Sequence, residues 1–466
     1  MRTMMVRACM IAVIGLSSIT GIIAYPQDAK LSELAKAAVT ELAEGKYPEF
    51  SGRFDDTMKI ALPESKLQEI WKAVLTQAGA FKSQGSIRQE KSGPYDMAFV
   101  TCQFEKAVLE IRLVFNAQRQ ISGLFFSPGS STTSRPQDPK APFPYRQEEV
   151  TYPSKEPGIK LAGTLTFPAS GGPFPAALLI TGSGAQNRNE EIMGHKPFLV
   201  LADSLTRRGI AVLRVDDRGV GGSSAGPPTA TSLSFAQDVL AGESYLKSRP
   251  EINPNRIGLI GHSEGGIIAP MVAAQSPDVA FIVLMAGTGV KGEEVLTEQG
   301  KLVMRANGAS EELIQENSKV QKMLFDVIKS TSDSEAAEKQ TRESLATVNP
   351  IIRDAALAQL KMALSPWMRY FVTYDPQPAL EKVKCPVLAI NGEKDLQVPP
   401  GQNLPAIEKA LRAGGNKDFK TIELPGLNHL FQTCKTGSIA EYSQIDETIS
   451  PVALDLISSW IQDHTR

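Results

Sequence analysis

The spacing of apolar and polar positions changes character three times along the chain. Residues 10–24 are an apolar run broken only by Gly, Ser and Thr, and Arg2 and Arg7 precede it. From about residue 28 apolar positions recur at helical spacing, first at Leu31, Leu34, Ala35, Ala38 and Val39 and again between about 63 and 80. The period then shortens to that of extended chain at 95–104, 107–115 and 121–126, with hairpin-like breaks between the segments. That order predicts a small α+β domain over 28–128. Residues 129–146, rich in Pro and Ser, read as a linker. Beyond 147 the apolar runs at 174–181, 210–215, 256–260, 280–284 and 386–390 each lead into a turn that contains Gly, and helical patterns lie between them. Continuous runs of this length fit strands buried on both faces, which predicts a mostly parallel, doubly wound sheet. Only 291–378 interrupts the alternation, with charged helix-forming sequence at 311–329 and 350–364.

Chemistry enters at the end of the run 256–260, where Gly261-His262-Ser263-Glu264-Gly265 opens a helical pattern. In a G-x-S-x-G elbow the serine sits on a strained strand-to-helix turn, and the glycines are there because side chains would strike neighbouring backbone. A serine hydroxyl needs a base to take its proton and an acid to orient that base. Of the four histidines, His195 precedes the elbow, His262 lies within it and His464 is near the C-terminus, which leaves His429. Asp395 follows the strand-like 385–392 and is placed as the acid. The order Ser263, Asp395, His429 follows three separate strand-like runs.

On these motifs, residues 147–466 resemble an α/β-hydrolase of the esterase and lipase type. The resemblance implies that Gly182-Ser183-Gly184 follows the family's third strand as its oxyanion loop. The backbone N–H groups of Ser183 and Glu264 would then hold the oxyanion, as fixed amides do best. Thr181 stands where the family usually has His, so the first amide could instead belong to Gly184. Residues 210–223 resemble the family's strand-four segment with its Asp-x-Arg-Gly-x-Gly turn; Asp217 and Arg218 there read as braces, and Asp216 and Asp217 come too early in the chain to be the triad acid. Glu264 reads as a helix N-terminal carboxylate favoured by the dipole. The insertion at about 291–378 reads as a helical cap, which in this fold roofs the pocket. Trp367, Met368, Tyr370, Phe371 and Tyr374 then line an acyl or alcohol site or simply anchor the cap. The segment 28–128 resembles the uncharacterised domain, of cystatin-like or nuclear-transport-factor-like look, that precedes some bacterial secreted hydrolases.

Composition narrows the alternatives. A net charge of −2 with no basic run excludes nucleic acid as an expected partner. There is no H-E-x-x-H and no paired C-x-x-C, so no metal and no cofactor are expected. The basic start and the apolar run at 10–24 read as a signal peptide, residues 1–24, with an uncleaved anchor as the alternative. A periplasmic or secreted protein without stable membrane insertion follows from the cleaved form. Cys102, Cys385 and Cys434 then remain, enough for one bridge at most, between Cys385 and Cys434. The activity implied is hydrolysis of small carboxylic esters through an acyl-enzyme. A peptidase, amidase or thioesterase on the same fold is the first rival, although residues 28–128 hold none of the repeated blades of a prolyl-oligopeptidase propeller. A binding module without turnover is the second, and covalent labelling of the serine separates it from the enzyme. The sequence leaves the oligomeric state open.

Overall fold

A computed structural model describes residues 28–92, 95–105, 107–128 and 135–466. The signal segment expected over 1–24 and the linker positions 129–134 lie outside the described residues. The described chain divides into two compact units, 28–128 with 442–446, and 135–441 with 447–466.

In the first unit the carboxylate of Asp28 accepts the amides of Lys30 and Leu31 and so caps the helix Ala29–Ala43. Helices Tyr47–Gly52, Asp56–Ala61 and Glu64–Ala78 follow. They precede an antiparallel sheet whose strands lie in chain order: β1 (Phe81–Ser92), β2 (Tyr95–Phe104), β3 (Val108–Phe115) and β4 (Ile121–Pro128). Ala98, Val100, Cys102 and Phe104 alternate along β2 into a core shared with Leu31, Val39, Leu42 and Trp71. The Trp71 ring meets Phe81, Phe104 and Phe126 at centroid distances of 5.8–6.5 Å. The strand β1 has no counterpart among the sequence expectations. Its Lys82, Gln84, Arg88 and Gln89 give no apolar period, and its register with β2 slips twice, so pairing with β2 rather than its own pattern makes it a strand.

The second unit is built on eight strands: β5 (Tyr145–Pro153), β6 (Lys160–Pro168), β7 (Phe174–Ile180), β8 (Ala211–Val215), β9 (Ile252–His262), β10 (Val279–Met285), β11 (Val387–Gly392) and β12 (Phe419–Leu424). Their spatial order is β12-β11-β10-β9-β7-β8-β6-β5. From β8 to β12 every pairing is parallel; β5 with β6 and β6 with β8 are antiparallel. Along the central strands successive residues enter different cores. Ala176, Leu178 and Ile180, with Ile257, Leu259, Ile282 and Leu284, pack on one face against the helices Ser232–Lys247 and Gly265–Ala273. Ala177, Leu179, Ile260, Phe281 and Val283 pack on the other against Pro197–Arg207 and Pro451–His464. Burial on both faces is why these strands read as unbroken apolar runs. This is the α/β-hydrolase fold, preceded in the chain by a small antiparallel-sheet unit.

Between β10 and β11 run the helices Gly292–Ala306, Glu311–Ser330, Ser334–Leu345, Pro350–Ala363, Pro366–Thr373 and Gln377–Leu380. Val295, Leu296, Phe325, Ile328, Met368 and Phe371 join the sheet's core, while Met304, Ile314, Val320, Leu324, Leu345 and Ile352 form a smaller core within the insertion.

Candidate active site

Ser263 follows the last residue of β9 and has φ +53°, one of six non-glycine positive values among the described residues. Its amide donates to Met285 O at 2.8 Å, which ties the turn to β10. The flanking glycines are required by the approach of backbone. A Cβ on Gly261 would lie 2.0 Å from Gly265 O, and one on Gly265 would lie 2.2 Å from Ile180 O. The helix Gly265–Ala273 therefore starts in contact with the end of β7, and the serine is lifted onto a strained turn.

Asp395 and His429 lie on loops after β11 and β12, neighbouring strands of one sheet edge. Both are buried, and His429 Nδ1 is 2.8 Å from Asp395 Oδ2. The other carboxylate oxygen accepts the amides of Gln397 and Val398, each at 2.8 Å, and Asn391 Nδ2 reaches Oδ2 at 3.3 Å. These donors fix the carboxylate before it meets the ring. Asn428 stiffens the histidine turn, its Oδ1 accepting the amides of Leu430 and Gln432 at 3.0 Å. Gln432 is held in turn by His195, whose Nδ1 is 3.0 Å from Thr448 Oγ1, so His195 braces this loop. His262, the residue before Ser263, has its ring centroid 4.8 Å from that of His429. Among the described residues no hydrogen bond joins the Ser263 hydroxyl to His429; a resting hydrolase often forms that bond only when substrate binds.

Gly182 packs on the serine, since a Cβ placed on it would lie 3.2 Å from Ser263 Cβ. Among the described residues no acceptor engages the backbone N–H of Ser183 or of Glu264. Three acids surround this loop, Glu190 and Glu264 buried and Asp217 half-buried. Glu190 Oε1 accepts the Gly182 amide at 2.7 Å. Asp217 accepts Thr181 Oγ1 at 2.8 Å and the Gln186 amide at 2.9 Å. Glu264 accepts Ser232 Oγ at 2.6 Å and Trp367 Nε1 at 2.8 Å, and the Ser183 side chain lies beside the same carboxylate. Burial raises the pKa of Glu264, and those three groups pull against it. Its side chain makes no capping bond to the elbow helix, so the hydroxyl and indole donors, not helix amides, hold it.

The remaining candidates separate by contact. Asp216 is bound by Arg188 at 2.7 Å, and this ion pair, against the opposing effect of burial, keeps its carboxyl below the usual range. Arg218 bonds Asp238 and Glu156, each at 2.6 Å. Met368 and Phe371 are buried in the core, which is the anchoring role. Trp367 stacks on Phe371 and reaches Glu264, and Tyr370, also beside Glu264, has its phenol pushed up to about 12 by burial and by that charge. Cys102, Cys385 and Cys434 are all thiols. Among the described residues no group of His, Cys, Asp and Glu is placed to hold a metal, and no helix is long and apolar enough to cross a membrane. Sequence reasoning missed Glu190, which lies in a loop without periodicity, 72 residues before the histidine it meets, and it passed over His262.

The chain is similar to several known proteins. Over 408 residues it is 23% identical to Esterase EstD of Thermotoga maritima, an alignment covering 87% of this chain and 89% of that protein. A shorter stretch of 163 residues is 29% identical to the 1-acylglycerol-3-phosphate O-acyltransferase of Arabidopsis thaliana, covering 32% and 36% of the two chains. Among solved structures, the α/β hydrolase GrgF of Penicillium sp. sh18 aligns with a TM-score of 0.43 at 16% identity, over 69% of this chain and 99% of that one. Est1E of Butyrivibrio proteoclasticus with ferulic acid bound aligns with a TM-score of 0.40 at 16% identity, over 68% and 98%. Residues 35–124 match a family described as a protein of unknown function (DUF3887). Residues 157–421, more than half of the chain, match the family described as X-Pro dipeptidyl-peptidase (S15 family), and the chain belongs to that family of α/β-hydrolases.

Proposed function

We propose that this protein is a serine hydrolase that cleaves carboxylic esters through an acyl-enzyme. His429 takes the proton of Ser263 as the oxygen attacks the ester carbonyl, and Asp395 orients and stabilises the imidazolium. The amides of Ser183 and Glu264 hold the oxyanion; such donors each contribute about 10²–10³ in rate. His429 then protonates the departing alcohol, and water activated by the same ring releases the acid. No metal or redox group is required for these steps. The reading rests on one observation above the others: the buried Asp395–His429 bond of 2.8 Å lies beside an elbow serine held at positive φ. Similarity to an esterase over 87% of the chain supports the ester as substrate class. The helical insertion is proposed as the pocket's roof, and the localisation as periplasmic or secreted.

The family's description favours a second reading, an amidase or peptidase on the same residues. Intact mass after fluorophosphonate treatment tests what both share. The expected result is a single adduct, absent from Ser263→Ala; an unlabelled, folded wild-type protein would remove the nucleophile assignment. Turnover of p-nitrophenyl acetate against an X-Pro anilide then separates them. The ester is expected to be the faster substrate by about 10²-fold or more.

A further inference from the structure

His262 occupies the variable position of the elbow, and both of its ring nitrogens meet acceptors. Nε2 is 3.0 Å from His429 O, a carbonyl that can only accept, so Nε2 carries a proton. Nδ1 is 2.9 Å from Glu190 Oε1, and that same oxygen receives the Gly182 amide at 2.7 Å. Either the ring is charged and both nitrogens donate, or Glu190 holds the proton on Oε1. In the second arrangement the oxygen already addressed by Gly182 becomes a hydroxyl. The better acceptor would then be Oε2, which is buried and has no partner in the structure. The ionised pair instead concentrates charge on the oxygen that two N–H groups face.

The consequence for the reaction lies in what this pair holds. Gly182 stands against the Ser263 Cβ, and its peptide leads into Ser183, whose amide is assigned to the oxyanion. The His429 ring is held at its Nδ1 by Asp395, while its backbone is held by His262. Glu190 itself has φ +51°, a conformation maintained for a glutamate only by the contacts it makes, including its amide to Asn187 O at 2.8 Å. We propose that Glu190 and His262 are a positioning pair, a buried carboxylate and imidazolium that join the oxyanion loop, the nucleophile's turn and the backbone of the general base into one rigid unit. The inference rests on the hydrolase reading above. Neither residue touches the reacting atoms, and both act through Gly182 and His429.

Electrostatics support the geometry. Burial opposes the charge on His262, but the Glu190 carboxylate more than offsets it, helped by the bond to His429 O and by the Asp395 charge, so its pKa is raised. Glu190 and Asp395 are the charged groups that face the ring, and desolvation raises the pKa of the other acids nearby, Asp217 and Glu264.

Glu190→Gln makes the cleanest variant because it keeps the shape. Its single amide oxygen cannot serve Gly182 and a neutral ring together while the ring still donates to His429. The readouts are kcat and KM for p-nitrophenyl acetate and the rate of fluorophosphonate labelling at Ser263, measured on wild type, Glu190→Gln, His262→Gln and the double variant at temperatures where each is folded. Each single variant is expected to lose about 10–100-fold in kcat and in labelling rate with KM within about threefold, because misplacement by a fraction of an ångström acts on the transition state. The double variant is expected to be no slower than the slower single one, since a unit broken once is not broken further. Labelling of both single variants within twofold of wild type, or losses that multiply in the double, overturns the pair. Failure of the wild type itself to label at Ser263 instead points to the hydrolase reading. A second measurement needs no variant to be active: a pH titration of ¹⁵N spectra of histidine-labelled wild type is expected to show one ring that keeps both nitrogens protonated above the ordinary histidine range, missing in His262→Gln. No ring titrating above that range would overturn the charged pair whatever the kinetics.

Discussion

The carboxyl of Asp217 sits where ionisation is opposed on every side. Burial pushes its pKa up to about 8, the nearby Glu264 and Glu190 charges add to the effect, and the donors Gln186 N and Thr181 Oγ1 only partly counter it. An acid raised in this way keeps its proton in the folded state at pH values where the unfolded chain has lost it. Its contribution to stability is therefore complete below about pH 4 and is lost as the pH rises towards 8. Urea unfolding of the wild-type protein should show stability falling between pH 5 and 8, with on the order of 4 kcal/mol attributable to this group. Asp217→Asn retains an acceptor for Gln186 and a donor for Thr181, and should make that decline shallower. Equal slopes in the two proteins would mean that Asp217 ionises normally. Asp395 calls for the opposite treatment, because its value lies in its charge. Asp395→Asn should lower kcat by about 10³–10⁴ with little change in KM, as the amide can favour the wrong ring tautomer of His429. Steady-state ester kinetics on the folded variant decide it.

At the scale of elements, the elbow is a strand and a helix pressed together until only glycine fits between them. Gly265→Ala would drive a Cβ to 2.2 Å from Ile180 O, and the resulting displacement should destabilise the protein by about 3 kcal/mol or more. Gly401→Ala, in the helix Pro400–Ala413 with open space around it, should be neutral or stabilising by up to about 1 kcal/mol. Denaturant midpoints of the two variants against wild type give the comparison, and similar values would show that the elbow can relax. The same elements explain what the sequence disclosed. The strands β7 to β11 were legible because both of their faces are buried, so each is a plain apolar run ending in a functional turn. The strands β5 and β12 are the two edges of the large sheet and β1 an edge of the small one; half-solvated edges carry polar residues and no decisive period. Ser263 and Asp395 could be proposed from the readable strands β9 and β11, whereas His429 follows the edge strand β12 and is reached only by elimination among four histidines. Glu190 could not, since its meaning comes entirely from a partner 72 residues away.

Over the whole molecule, residues 28–128 have a core of their own and a sheet whose strands pair in chain order, so every strand contact there is between neighbours in the chain. A fragment of that span should unfold in a single cooperative step, reported by Trp71, its only tryptophan. A broad, non-cooperative fluorescence change would mean that the segment needs the rest of the chain. The large unit is assembled differently. The strands β10 and β11 lie side by side, yet six helices separate them in the chain, and the proposed base His429 comes later still. His429 is 429 − 263 = 166 residues beyond the serine it is proposed to activate. At the usual 5–20 residues per second, the ribosome releases the serine roughly 10–30 s before it releases the base. On that reading the nascent chain holds the serine without its proposed base until residue 429 has been made and docked.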